Sequence, residues 1–312
     1  MCLQLAGVEK DHEVLVPALT FVATANAVTY LGAVPHFVDC EEITLGLDPK
    51  KLEEYLNEAA ELRSDSCFNR KTGRLIKAVV AVHTFGHPVD LDPLVELCQR
   101  FKIELIEDAA ESLGSFYKGR HTGNEGRFSA LSFNGNKVVT TGGGGAILTH
   151  DEKSAQLAKY LTTTAKKPHP RAYYHDQIGY NFRLPNINAA LGCAQLENLS
   201  GFLKDKRALA RVYQKTFSTI SGVELFLEPK FAQSNYWLNV LLLDHDKVNE
   251  LDSLLEQTSA KGIMTRPAWT LMHHLPMFEN SPKMDLSCAE NLQARIINLP
   301  STSSLGGSFA KT

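Results

Sequence analysis

Along the first half of the chain, short β-branched runs alternate with segments whose apolar residues recur at helical spacing, a rhythm that predicts strands covered by helices. The run CLQLAGV, beginning at Cys2, is apolar with no cap or polar leader, and it reads as the tail of a helix whose beginning lies outside this sequence. After the polar EKDHE, VLVP reads as a strand that Pro17 ends, TFVATANAVTYLG as a helix closing near Gly32, and PHFVDC as the next strand. DPKKLEEYLNEAAEL is amphipathic, with Asp48 as N-cap and Pro49 at the first helical position. The polar SDSCFNRKTG reads as a surface insertion before the buried strand KAVVAVH. The helix DLDPLVELCQRFK and the strand IELIEDAA complete the alternation.

Such alternation implies an α/β fold with a mostly parallel sheet, and in these sheets ligands gather beyond the carboxyl ends of the strands. His83, Asp108 and Lys137 all fall at or just after such ends. From Gly142 a glycine run leads into AILT, a helix near SAQLAKYL, and the loop KKPHPRAYYHDQ, rich in cations and aromatics. Two helices follow, NINAALGCAQLENL and LKDKRALARVYQK, and the change of domain is placed between them. Residues 1–200 then form a large domain, and residues 201–312, with the strand YWLNVLLL and the helix VNELDSLLEQTSAKG, a smaller α/β domain.

With 312 residues, 44% hydrophobic and 21% charged, the chain has the composition of a globular protein with room for both domains. A net charge of −3 supplies no overall basic field for nucleic acid or anionic lipid, so neither is expected as a partner. Cys2, Cys40, Cys67, Cys98, Cys193 and Cys288 form no Cys-x-x-Cys pair, which favours reduced thiols. No apolar run is long enough to span a bilayer and no signal peptide is evident, so a soluble, cytoplasmic protein is expected.

The chemistry concentrates in IEDAAES, followed downstream by SFNGNK and TTGGGG. Pyridoxal phosphate needs a lysine to hold it covalently, and the same amine can afterwards move a proton at the substrate carbon. Lys137 is the candidate. The ring draws electrons only when its nitrogen is protonated, so a carboxylate has to face it, and Asp108 at a strand end fits. Gly142 to Gly145 read by default as a flexible turn, yet beside a lysine they also let backbone approach a planar ligand. His83 with His87, and the adjacent His273 and His274, are too few and wrongly spaced for a zinc site, and no metal is expected.

The blocks VPALTFVATANAVTYLGAVPHFVD, IEDAAESLGS, ALSFNGNKVVTTGGGGAI and GYNFRLPNINAALGCAQLENL, in that order, resemble the DegT/StrS family of nucleotide-sugar aminotransferases. The resemblance implies fold type I, pyridoxal 5'-phosphate as cofactor, and a homodimer whose active sites are shared between subunits. It implies Lys137 as the lysine bearing the cofactor, Asp108 as partner of the ring nitrogen, Phe21 stacking on the ring, and Glu111 near the ring hydroxyl. It also implies Ser132 on the phosphate, Asn181 reaching the phosphate across the dimer, and Arg183 as either structural or substrate-facing. Dehydrating relatives carry histidine where Lys137 stands, so transfer of an amino group, from glutamate to a nucleotide-linked 4-keto-6-deoxy sugar, is expected over dehydration. The branch resembled most makes UDP-linked 4-amino sugars for bacterial surface polysaccharide. Family members carry a phosphate-binding Gly-Thr loop ahead of the position of Cys2; a copy without it could instead keep the fold in a non-catalytic role.

Overall fold

The computed structural model describes residues 1–309. Its centre is a six-stranded sheet in the order Gly145–Leu148, Phe128–Ser132, Glu104–Asp108, Ile76–Val82, Glu13–Pro17, Val34–Val38. All neighbours are parallel except the edge strand Gly145–Leu148, which runs antiparallel to Phe128–Ser132. Strand alternation explains why both faces are covered: Val14 and Val16 enter one core while Leu15 enters another, and Val80 and Val82 part from Val79 and Ala81 in the same way. The order reverses between Glu13–Pro17 and Ile76–Val82, which opens a crevice at their carboxyl ends.

The helix Pro49–Ala59 forms as its sequence dictates. The Asp48 carboxylate accepts from the backbone N–H of Lys50 at 2.9 Å and of Lys51 at 3.0 Å, and Pro49 starts the helix where an N–H would have no partner. Its apolar stripe, Leu52 and Leu56, is fully buried against the sheet. Leu52→Ala is expected to cost about 2–5 kcal/mol through the cavity it leaves. Denaturant unfolding checks this, and a loss below about 1 kcal/mol would contradict the packing.

The expected insertion differs from what is found. The helix stops at Ala59, and Ala60–Arg63 pairs with Ser66–Asn69 in an antiparallel hairpin around Ser64, whose φ is 53°. The physical reason lies in the core. Buried Glu13 needs donors, and it receives Asn69 Nδ2 at 2.8 Å and Thr72 Oγ1 at 2.6 Å from this segment, together with the His36 ring at 2.8 Å.

A second, antiparallel sheet follows in the order Val223–Leu225, Asn239–Leu243, Ile296–Leu299, Arg266–Pro267. The boundary proposed at residue 200 falls beside Leu199, which starts the long helix Leu199–Phe217 after the helix Asn186–Glu197. One continuous core joins Val14, Val82 and Ile106 of the first sheet to Trp237, Val240 and Ile296 of the second region. Among the described residues no helix is long and apolar enough to cross a membrane.

Candidate active site

Three strand ends converge. Asp108 terminates Glu104–Asp108, and its carboxylate accepts from Thr24 Oγ1 at 2.8 Å and from the Ala110 N–H at 3.1 Å. Thr24 lies in the first turn of the helix Val22–Thr29, so one turn of that helix separates it from Phe21 at the N-cap. Phe21 keeps 50% of its surface exposed, an open aromatic face at the wall of a cavity.

Lys137 follows the strand Phe128–Ser132 in a turn closed by its own N–H to Asn134 O, 3.1 Å. Its Nζ lies 3.5 Å from Glu111 Oε1 and 4.1 Å from the centre of the Trp237 ring, a cation held over a π face. Trp237 is fixed in turn by its indole N–H to Asn136 O at 2.8 Å. Asn235, two residues earlier, donates to Glu111 O at 2.8 Å and Leu113 O at 3.0 Å, tying the second region to the loop after Asp108. Glu111 Oε2 accepts from the Phe85 N–H at 2.9 Å and steadies a left-handed residue, φ 57°.

Burial pushes the Glu111 carboxyl up to about 8, with the Lys137 charge opposing and Asp108 adding to the rise. An acid that holds its proton more tightly when folded contributes stability that is complete below its unfolded value of 4.5 and is lost as pH climbs through about 8. Glu111→Gln is therefore expected to flatten that decline. Between about pH 5 and about pH 9 the wild-type chain should lose up to about 4 kcal/mol relative to the variant, as measured by chemical unfolding. Parallel pH profiles would refute the displacement.

These side chains share one cavity of about 1420 Å³, whose lining includes Phe21, Thr24, Asp108, Glu111, Ser132 and Lys137. Phe85 stacks on Trp269 at 4.8 Å, and Trp269 meets Phe21 at 6.1 Å, which builds an aromatic wall. Ser132 Oγ accepts from the Asn134 N–H at 3.3 Å. Of the four glycines, Gly142 and Gly144 have φ of 78° and 92°, and a Cβ on Gly145 would stand 2.2 Å from Leu131 O. The turn and the strand pairing thus require glycine at three positions, while a Cβ at Gly143 would meet nothing within 4 Å.

Asn181 stays outside this wall. It is exposed and bridges to Thr163, whereas Phe182, Arg183 and Leu184 beside it do line the cavity. The two histidines of HTFGH go to separate surroundings. His83 bonds Glu107 Oε2 at 2.9 Å, and buried His87, pushed down to about 3 by burial, packs between Phe226 and Tyr236. Glu107, adjacent to Asp108, is fully buried and takes different partners. Burial would raise its carboxyl, yet the His83 ring and the N–H groups of Gly126 and Gly123 hold it at about 2. Sequence reasoning missed Thr24, Glu107, Trp237 and Trp269. Only Thr24 carried a local signal, its one-turn spacing from Phe21.

An amine for covalent attachment, a carboxylate already satisfied by two donors, an open aromatic face and close backbone suit pyridoxal phosphate. Lys137 would hold it, Asp108 would meet the ring nitrogen, and Phe21 would cover the ring. The fold and this cavity define a pyridoxal-phosphate-dependent transferase of fold type I. The chain belongs to the DegT/DnrJ/EryC1/StrS aminotransferase family, whose model matches residues 1–311, and it is a pyridoxal-phosphate-dependent aminotransferase. It is 38% identical over 309 residues to EpsN of Bacillus subtilis (strain 168), assigned as a pyridoxal phosphate-dependent aminotransferase, covering 98% of this chain and 76% of that one. It is 36% identical over 305 residues to the GDP-perosamine synthase of Escherichia coli O157:H7, covering 98% and 78%. Among solved structures, the aminotransferase TlmJ of Streptoalloteichus hindustanus superposes with a TM-score of 0.86 at 26% identity, covering 99% of this chain and 79% of that one.

Proposed function

We propose that this aminotransferase moves an amino group from glutamate to the keto carbon of a nucleotide-linked 4-keto-6-deoxy sugar, in the building of bacterial surface polysaccharide. The observation that carries the reading is the Lys137 amine, 3.5 Å from Glu111 and sharing a cavity with Asp108. The bound cofactor supplies an electron sink and carries the amino group between donor and acceptor. The chain supplies the rest. Lys137 would hold the cofactor covalently and, once free, would move the proton at the reacting carbon. Glu111, protonated near neutral pH, could give a hydrogen bond toward the ring hydroxyl while its Oε1 faces the Lys137 ammonium. Asp108 would face the ring nitrogen, and Ser132, on the cavity lining, would meet the phosphate.

Asn181 is proposed to serve a neighbouring copy. It is exposed, and in the same stretch of chain Tyr173, Ile178, Phe182 and Ile187 are large exposed apolar side chains that a homodimer with shared sites would cover. One relative is a GDP-perosamine synthase, which supports testing GDP-linked sugars beside the UDP-linked ones that the sequence resemblance suggests. Amine transfer to a panel of UDP-, GDP- and dTDP-keto sugars, with glutamate as donor, tests the reading. Turnover of one nucleotide class supports it. Cofactor loading without transfer to any keto sugar would overturn the proposed substrate.

A further inference from the structure

Two adjacent histidines take no part in this chemistry. His273 and His274 end the short turn Met272–His274, downstream of Trp269 in the same loop. The turn is pinned, because the Met272 N–H donates to Ala18 O at 3.0 Å while Leu271 and Met272 lie in the main core. The His273 side chain is only 3% exposed, and its Nε2 lies 3.3 Å from Glu290 Oε1 on the helix Ser287–Arg295. Its Nδ1 is buried without a partner among the described residues. The His274 ring centre is 4.0 Å from that of His273, and one donor atom from each of His273, His274 and Glu290 lies within 4.8 Å of the others.

We propose that His273, His274 and Glu290 form a binding site for a divalent transition-metal cation of the zinc class, with one coordination position open to solvent. Two imidazoles and a carboxylate make a borderline donor set of the kind such ions prefer. Bonds of about 2.1 Å in a tetrahedral site need donor atoms about 3.4 Å apart. The His273–Glu290 pair already meets that spacing at 3.3 Å. His274 and Glu290 are exposed, so their side chains can rotate to close the remaining distances. Lys283 opposes the cation and the Glu290 carboxylate offsets it. Sequence reading counted only two ligands here, because Glu290 joins them through the packing of a distant helix. An ion at this place would fasten the loop carrying Trp269 to Ser287–Arg295, a structural role beside the aromatic wall of the cavity.

The test uses tag-free full-length protein loaded with pyridoxal phosphate, stripped of metal by chelator and dialysed. Zn²⁺ is titrated by calorimetry, and Co²⁺ by its visible absorption. One saturable equivalent and a metal-dependent rise in the unfolding midpoint are expected. His274→Ala and Glu290→Gln should each weaken binding at least about tenfold, with the metal-free midpoint unchanged. Absence of saturable binding in the wild type, or affinity unchanged in both variants, overturns the site. Failure of amine transfer to any sugar would leave this result intact, since the metal readout does not depend on turnover.

Discussion

Lys137→Ala is expected to abolish cofactor attachment and amino transfer together, lowering the rate by at least about 10³-fold. The size follows from two jobs falling on one atom. Nζ is proposed as the amine to which the cofactor would be attached, and also as the base that would move the proton afterwards. Proton transfer by a positioned side chain alone is worth about 10² to 10⁴. The fold should survive the change. Lys137 is largely shielded between Glu111 and Trp237, and losing its charge pushes the Glu111 proton on more firmly, so no uncompensated carboxylate is left near neutral pH. Borohydride reduction followed by peptide mass spectrometry should find the cofactor fixed to the Lys137 peptide in the wild type and nowhere in the variant. Lys137→Arg separates charge from chemistry, since it keeps a cation but supplies no amine for attachment. A variant that still trapped the cofactor on another lysine with wild-type turnover would remove Lys137 from the proposal.

What the residues announced in advance was local or periodic. Asp48 and Pro49 name a helix start because capping acts within three residues, and the structure places both as read. The alternation of short strands and helices specified a mostly parallel sheet, and the strand ends then brought Asp108 and Lys137 to one cavity. The departures share a physical origin in long-range partners. Ala60–Asn69 abandons helix and loop for a hairpin because Glu13, far upstream, draws Asn69 and Thr72 into its hydrogen bonds. Gly145–Leu148 runs antiparallel because the chain turns back immediately after the lysine loop, leaving no crossover. Trp237 was invisible since nothing near YWLNVLLL distinguishes a core tryptophan from one that carries a lysine on its ring. In IEDAAES the two carboxylates look equivalent. Strand alternation sends Glu107 to the His83 ring and three backbone N–H groups, and leaves Asp108 to Thr24 and the Ala110 N–H.

Asp108→Asn should keep the fold and lose most of the rate, on the order of 10²–10³-fold in kcat. Both donors that Asp108 now accepts, Thr24 Oγ1 at 2.8 Å and the Ala110 N–H at 3.1 Å, favour an ionised acceptor and orient it. An asparagine fills the same space but carries no charge. Its amide must turn an N–H₂ toward the Ala110 N–H, which cannot accept it, toward Thr24 Oγ1, whose bond must then reverse, or toward the ring nitrogen, which would then have no anion to keep it protonated. The loss should appear in kcat, with a smaller change in substrate KM, because the charge matters most where electrons collect on the ring. Thr24→Val provides the graded comparison. It removes one hydrogen bond to the charged group, worth about 1.5–3 kcal/mol, and should lower the rate by about 10- to 100-fold while leaving Asp108 in place. Steady-state kinetics on both variants, with cofactor absorbance followed against pH, distinguishes a charge effect from mere loss of cofactor. If Asp108→Asn turns over at the wild-type rate, the carboxylate faces something other than the ring nitrogen.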